Sequence, residues 1–174
     1  MIMQNTNSNL SAHDAAEASN REILSFILDN EEFGVDILCV KEIRVWTSVT
    51  EVPNTPSYLK GVINLRGTII PIIDLSERFQ RPAKEYNETT VVIILHAIIE
   101  GKETVVGIVV DAVSDVYKFD EKQIRPAPDF GSEIDSRFIN GMATLSEKII
   151  ILLNSSKLLD ADELYRMTNR AKAV

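Results

Sequence analysis

The sequence predicts a mainly β protein of closed or nearly closed barrels, with short helical turns and a helix near its C-terminus. Three observations carry this reading. Val- and Ile-rich runs of strand length recur between turn residues along the whole chain. The stretch Gly61-Val62-Ile63-Asn64-Leu65-Arg66-Gly67, continuing through Thr68-Ile69-Ile70-Pro71-Ile72-Ile73-Asp74-Leu75, has the form of a hairpin, with Arg66-Gly67 supplying a residue able to take positive φ at the tip. A length of 174 residues at 45% hydrophobic content is enough to bury a core, as one domain or as two small subdomains sharing one, so disorder and coiled coil are poor descriptions of the bulk.

The elements follow in order. Residues 1–21 are rich in Asn, Ser, Ala and Gln and carry few groups able to offset ordering entropy, which predicts a mobile tail. Ile23 to Leu28 reads as a strand, Asp29-Asn30-Glu31 as a turn, and Phe33 to Ile37 as the returning strand. Val40 to Val45 fits a helical turn as well as a bent strand; either way Val40 and Ile43 share a face that Lys41 and Arg44 avoid. Pro53 and Pro56 enforce an extended connection, and Ser57 is placed to cap a short helical turn before Gly61. The polar stretch 81–88 divides two β-rich halves and is the expected subdomain junction. Strands resume at Thr89 to Ile99, Thr104 to Val110 and Val113 to Phe119, with Glu100-Gly101-Lys102 as a turn. Pro126 and Pro128 remove ladder donors and make residues 124–131 a stiff surface loop. Phe138 to Leu145 and Lys148 to Leu153 form the last hairpin. Ser155-Ser156 or Asp160 then precede a terminal segment whose Leu158, Leu159, Leu164 and Met167 suit a helix packed on the barrel surface. No internal repeat is evident.

Charge and residue inventory narrow the function. A net charge of -8 and a pI near 4.8 disfavour nucleic acid and direct adhesion to anionic lipid. The single cysteine, Cys39, excludes an internal disulfide and a thiolate metal cluster, which suits a reducing cytoplasm. There is no signal-peptide pattern, and the longest apolar runs are too short to span a bilayer, so the chain reads as cytosolic, without membrane insertion. His13 lies in the tail and His96 in an apolar strand, Asp36, Asp74, Asp111 and Asp115 each lie where backbone bonding or solvation explains them, and the seven glycines are scattered among turns. No catalytic constellation, metal set or cofactor loop emerges, and the protein is expected to be no enzyme and to hold no cofactor.

Contact chemistry is better represented. Val40, Ile43 and Leu65 make a candidate apolar strip with Glu42 and Arg66 at its margin; the plainer alternative is core residues with a charged rim and Arg66 as an ordinary solvated turn residue.

The hairpin, together with Glu32-Phe33-Gly34-Val35-Asp36-Ile37, Val40-Lys41-Glu42-Ile43, Val106 to Val116, Ile149 to Leu153 and Lys157-Leu158-Leu159, resembles the CheW family of bacterial chemotaxis coupling proteins, whose domains carry a GVxNLRGxxxPxxDL signature. The resemblance spans residues 22–160, leaving 161–174 as a C-terminal helix or tail. It implies two SH3-like five-stranded β-barrels around a shared hydrophobic interface, and a non-catalytic adaptor at receptor arrays on the inner face of the membrane. Ile37, Val40, Glu42, Ile43, Asn64, Leu65 and Arg66 match a groove that accepts the cytoplasmic tip of a chemoreceptor. Arg125 and Phe130 match positions that join the regulatory domain of the histidine kinase CheA and close rings, which can include further copies of the adaptor; from its own chemistry Phe130 serves equally well as a cover for a barrel end. Ser76 and Gln80 depart from the family's usual arginine and glycine and put the turn after the hairpin in question. Two other readings stay open: a related coupling module separated from a receiver domain, and a small-molecule-binding β-barrel.

Overall fold

The computed structural model describes residues 20–127 and 135–159. Its strands are β1 (Asn20–Leu28), β2 (Glu31–Asp36), β3 (Val40–Val45), β4 (Leu59–Leu65), β5 (Thr68–Asp74), β6 (Val91–Ile99), β7 (Lys102–Val110), β8 (Ala112–Asp120), β9 (Ile124–Arg125), β10 (Ile139–Leu145) and β11 (Lys148–Leu153). Two short helices, α1 (Leu75–Arg78) and α2 (Ser155–Leu158), follow β5 and β11. The fold is mainly β, as expected. Tight turns with positive φ at Asp29 and Asn30, at Arg66 and Gly67, and at Glu100 and Gly101 set the register of three hairpins.

The strands form a five-stranded sheet, in the order β3-β6-β7-β5-β4, and a six-stranded one, in the order β8-β1-β2-β11-β10-β9. Each curls until its ends meet. The chain beyond β3 returns to β4 through Thr50 N to Val62 O at 3.0 Å and Val62 N to Thr50 O at 2.8 Å. A Cβ on Gly61 would press into the Thr50 carbonyl, so glycine permits that closure. In the six-stranded sheet the edge strands β8 and β9 are joined through the 3-10 turn Glu121–Gln123, which Asp120 and Gln123 secure with a capping box.

Residues 81–88 connect β5 to β6 within the five-stranded sheet, so the expected junction there is corrected. The chain changes sheets at the 3-10 turn Ile37–Cys39 and again at Asp111. The cause is parallel pairing between distant strands, β5 with β7 and β11 with β2, which draws each β-hairpin onto strands far away in sequence. The β1-β2 hairpin completes the barrel of β8 to β11, and the β6-β7 hairpin completes that of β3 to β5.

The two barrels repeat one plan that inspection of the sequence missed. Register shifts occur at Gly61 and at Gly141, Arg66 and Ser146 take positive φ at the turns, and Asp74 and Asn154 cap the helices that follow. Val40-Lys41-Glu42-Ile43 and Val113-Ser114-Asp115-Val116 bulge at matching points of β3 and β8.

A shared core joins the barrels. Phe26 and Phe33 from one, Phe79 after α1 of the other, and Phe138 before β10 form a row of rings with successive centroids 6.1, 6.0 and 6.0 Å apart, all four buried. Leu158 and Leu159 close the same cluster.

Other expectations shift at the ends of elements. Strand β1 begins at Asn20, inside the expected tail, because Arg21 reaches Asp36 at 3.6 Å and Asn20 and Arg21 pair with Asp120 and Phe119. The segment before β4 is a single turn, Leu59 N to Pro56 O at 3.0 Å, and not a helical cap by Ser57. Asn154 caps α2. The expected mobile tail before residue 20, the expected helix beyond residue 159, His13 and Phe130 lie outside the described residues.

The two departures from the family pattern have local explanations. Ser76 is buried and donates to Asp29 Oδ2 at 2.8 Å. Gln80 takes φ of 64° just after α1, a left-handed position that favours glycine. Gln80→Gly is expected to stabilise the protein by about 0.5–1 kcal/mol, relief of backbone strain less the added entropy of the unfolded chain. Thermal unfolding should show a rise of about 2–4 °C at most.

Asp29 is the centre of a polar cluster that ties the β5-β6 connection to the turns of both barrels. Arg81 Nη1 lies 2.8 Å from Asp29 Oδ2, Lys84 bonds Asp29 Oδ1, and Lys84 Nζ lies 2.7 Å from Asp111 Oδ2. Burial works against ionising Asp29, but hydrogen bonds from Lys84, Arg81 and Ser76 outweigh it and hold the carboxyl at about 2. A carboxyl depressed in the folded state stabilises above its unfolded value, near 3.8, and loses that contribution as pH falls towards 2. Melting midpoints should therefore drop between pH 4 and pH 2. Asp29→Asn, which keeps the left-handed turn, should be less stable at pH 7 and show a shallower acid limb.

Candidate functional site

Strand β3 is an edge strand, and its bulge organises the candidate site. Val40 pairs with Leu95, Glu42 with Ile94 and Ile43 with Ile93, leaving Lys41 as the extra residue. Leu95 and Ile93 point to one side of β6, so the bulge puts Val40 and Ile43 on a common face although they are three residues apart. Glu42 faces the other side.

Across from Glu42 stands the β4-β5 turn. Arg66 Nη1 lies 3.2 Å from Glu42 Oε2, and Arg44 Nη1 lies 3.3 Å from Glu42 Oε1. Glu42 is thus held between two guanidinium groups while the Arg66 side chain remains 76% exposed. Asn64 accepts a hydrogen bond from Gly67 N at 2.8 Å, which fixes the turn that presents Arg66. Lys41, Leu65, Arg66 and Val105 line a cavity of about 180 Å³ beside the pair.

The single apolar strip of Val40, Ile43 and Leu65 divides in two. Val40 and Ile37 pack on the shared core, whereas Leu65, 9% exposed, belongs to a separate cluster with Ile70, Ile72 and Ile94. Strand alternation separates them. Exposed apolar surface comes instead from Ile43 at 44%, Val45, and Leu38 at 81% in the 3-10 turn before β3. Leu38 escaped the sequence reading; its signal was Asp36, which accepts from Leu38 N at 2.9 Å and caps a turn too short to bury its middle residue.

On the other barrel Arg125 is exposed on β9, opposite Met142 of β10. Met142, with Ile27, Ile149 and Ile151, lines an open groove of about 500 Å³ rimmed by Glu31, Glu32 and Lys148. Ile149 and Ile151 were legible as alternate residues of one strand, on the face opposite buried Ile150 and Leu152. Lys148 Nζ lies 2.7 Å from Glu32 Oε2. Burial disfavours the Glu32 carboxylate, but hydrogen bonds from Lys148, Ser25 and Ser114 overcome this and keep its pKa below the usual range.

The acidic residues weighed for catalysis serve local structure. Asp74 caps α1 and accepts from Tyr86 Oη at 2.5 Å, Asp111 accepts from Asp29 N at 2.9 Å, and Asp115 accepts from Val116 N at 2.8 Å. His96 Nδ1 lies 3.5 Å from Glu103 Oε1. Among the described residues no group of His, Cys, Asp and Glu is arranged to hold a metal ion, and no helix is long and apolar enough to cross a membrane.

Residues 22–163 match the family model of the CheW-like domain. The chain is 46% identical over 159 residues to the chemotaxis protein CheW of Klebsiella aerogenes, covering 91% of this chain and 93% of that protein. It is 37% identical over 143 residues to the CheW of Rhizobium meliloti, covering 82% and 90%. Among solved structures it is similar to the scaffolding protein TtCheW of Thermoanaerobacter tengcongensis, with a TM-score of 0.69 and 38% identity over 77% of this chain and 88% of that one. With nearly the whole barrel pair matched, the chain belongs to the CheW-like family.

Proposed function

We propose that the protein is a non-catalytic chemotaxis adaptor that couples the cytoplasmic tips of chemoreceptors to the histidine kinase CheA. The observation that carries this reading is the Glu42–Arg66 pair: a charged group projected from a hairpin turn, beside exposed Ile43 of the edge strand β3 and exposed Leu38 of the 3-10 turn before it. Such a surface combines an apolar anchor with a charge that fixes orientation. Ile37, Val40, Glu42, Ile43, Asn64, Leu65 and Arg66 make the receptor site, with Asn64 and Leu65 acting by holding the hairpin.

The second surface is on the other barrel. Arg125 and Phe130 join the regulatory domain of the kinase, and the groove of Ile27, Met142, Ile149 and Ile151 adds apolar area next to Arg125. Because the two surfaces belong to barrels locked by one core, a small shift at the receptor end is transmitted as a rigid displacement to the kinase end. The protein works in the cytoplasm at receptor arrays, where copies of it extend the rings.

Separability tests this. In titrations with a receptor cytoplasmic fragment and with the kinase regulatory domain, the unchanged protein binds both. Arg66→Ala loses the receptor and keeps the kinase, and Arg125→Glu with Phe130→Ser does the reverse. Folded variants that each retain both partners would refute the assignment of the surfaces.

A further inference from the structure

The matching registers of the two barrels bring out one contrast between them. On β7, Gly107 lies opposite Ile72 of β5 and Ile94 of β6; on β2, Gly34 lies opposite Leu152 of β11 and Ser25 of β1. A Cβ on either glycine would press into a neighbouring isoleucine, Ile72 or Ile23. Two residues earlier on the same face, β7 carries Val105 where β2 carries Glu32. By the same registers Thr68 answers to Lys148, each opening the strand after a hairpin turn, and Lys41 answers to Ser114 in the two bulges.

In the six-stranded barrel this position is filled from within. Glu32 is buried, Lys148 Nζ lies 2.7 Å from its Oε2, and Ser25 and Ser114 bond the same carboxylate. The five-stranded barrel keeps the cradle without the acid. Its lysine and hydroxyl have exchanged sides, with Lys41 in the place of Ser114 and Thr68 in that of Lys148, and Arg66 adds a second cation. What remains is the cavity of about 180 Å³, with Lys41, Arg66 and Thr68 exposed at its rim and Leu65, Ile70 and Val105 beneath them. Neither cation is committed to a buried partner. Lys41 Nζ lies 3.2 Å from Glu103 Oε1 in a pair open to solvent, which exchanges at little cost, and Arg66 stays largely exposed beside Glu42.

We propose that this mouth is a carboxylate-binding site: an acid on a short apolar stem enters between Lys41, Arg66 and Thr68 and rests its stem on Leu65, Ile70 and Val105. At about 30 Å³ for each water-sized group, the cavity takes about six such groups, the size of butyrate. The acid is either a free molecule or an acidic side chain of the docked receptor tip; the second source rests on the receptor reading given above, and the site itself does not.

The test titrates butyrate into the full chain with labelled methyl groups, unchanged and as Val105→Glu, which supplies the missing carboxylate from within. Lys41→Met is the second variant. The expected result is a saturable shift of the Leu65, Ile70 and Val105 methyl resonances, with a Kd on the order of 1 mM and Ile150 of the other barrel unmoved. Butanol should not reproduce it, Val105→Glu should abolish it, and Lys41→Met should weaken it about tenfold or more. No shift with butyrate, an equal response to butanol, or undiminished binding by the folded variants overturns the site. With the site present, a receptor cytoplasmic fragment that moves the same methyl groups and excludes butyrate identifies the tip as the source of the acid, and a fragment that binds alongside butyrate identifies a free acid. Butyrate binding with no receptor binding leaves the site standing and removes the receptor reading.

Discussion

Arg66→Ala is expected to leave the protein folded and to remove most of its affinity for a receptor tip. The two halves of this result have separate causes. The Glu42–Arg66 pair is exposed on the arginine side, and such pairs contribute about 0–1 kcal/mol, so the melting midpoint should fall by no more than about 4 °C. The turn persists because Asn64 still accepts from Gly67 N. Binding suffers more, since a charge that becomes paired and desolvated in a complex costs about 2–5 kcal/mol to remove, a loss of about 30-fold or greater. Arg66→Glu should be worse than alanine, because it faces Glu42 with a like charge and reverses the sign offered to the partner. Adding Glu42→Arg to it restores a pair within the protein yet leaves the presented charge reversed. If Glu42 and Arg66 mattered only to each other, the double substitution would recover binding; the receptor is expected to stay lost. Fluorescence anisotropy of a labelled receptor fragment, alongside thermal melts, reads both quantities.

Phe79→Ala should have the largest effect on stability. Phe79 follows α1 of the five-stranded barrel, and its ring lies between Phe33 and Phe138 of the other, 2% exposed. Truncating a buried phenylalanine costs about 3–5 kcal/mol through lost transfer energy and the cavity left behind. Against a typical stability of about 5–15 kcal/mol, this removes a large share. The loss falls on the contact between the barrels, so receptor and kinase binding should both weaken, whereas Arg66→Ala affects one. Urea unfolding followed by Trp46, whose ring stands 4.5 Å from that of Tyr86 inside the five-stranded barrel, and by circular dichroism for the whole protein, would measure it. Coincident transitions with a lowered midpoint are expected for the shared core; an unfolding free energy within about 1 kcal/mol of that of the unchanged protein would mean that the row of rings is not what joins the barrels.

Local features were legible in the sequence and distant pairings were not. The hairpin around Arg66 could be read because turn residues and Val/Ile alternation act over a few positions, and the same holds for the turns at Asp29 and Glu100. The junction at 81–88 was misplaced because the parallel pairing of Ile72 with Gly107, and of Leu152 with Gly34, leaves no mark on either partner's local pattern. The internal duplication was hidden for a related reason. What the barrels share is a bulge, a left-handed turn and a helix cap, features that Val40-Lys41-Glu42-Ile43 and Val113-Ser114-Asp115-Val116 satisfy with different side chains.

At the site, the opposite charges of Glu42 and Arg66 suggested a pair, and the 3.2 Å separation accompanies the closure of the barrel, where Thr50, beyond β3, pairs with Val62 of β4. The common face of Val40 and Ile43 was anticipated for a helical turn and for a bent strand alike, and it arises from a bulged strand. The placement of Leu65 in a separate cluster required the sheet itself, since a residue at a hairpin tip has no neighbours in sequence that reveal which side is covered. Leu38 went unnoticed because one exposed leucine in a turn looks like any other apolar residue until its burial is known.

The most direct measurement mixes the purified protein with a receptor cytoplasmic fragment and CheA, and follows kinase autophosphorylation from ATP together with co-sedimentation of all three. Coupling predicts a ternary complex with raised kinase activity that fails when Arg66 is replaced by alanine. A folded protein that enters no complex with either partner, or that joins both without changing kinase activity, would contradict it.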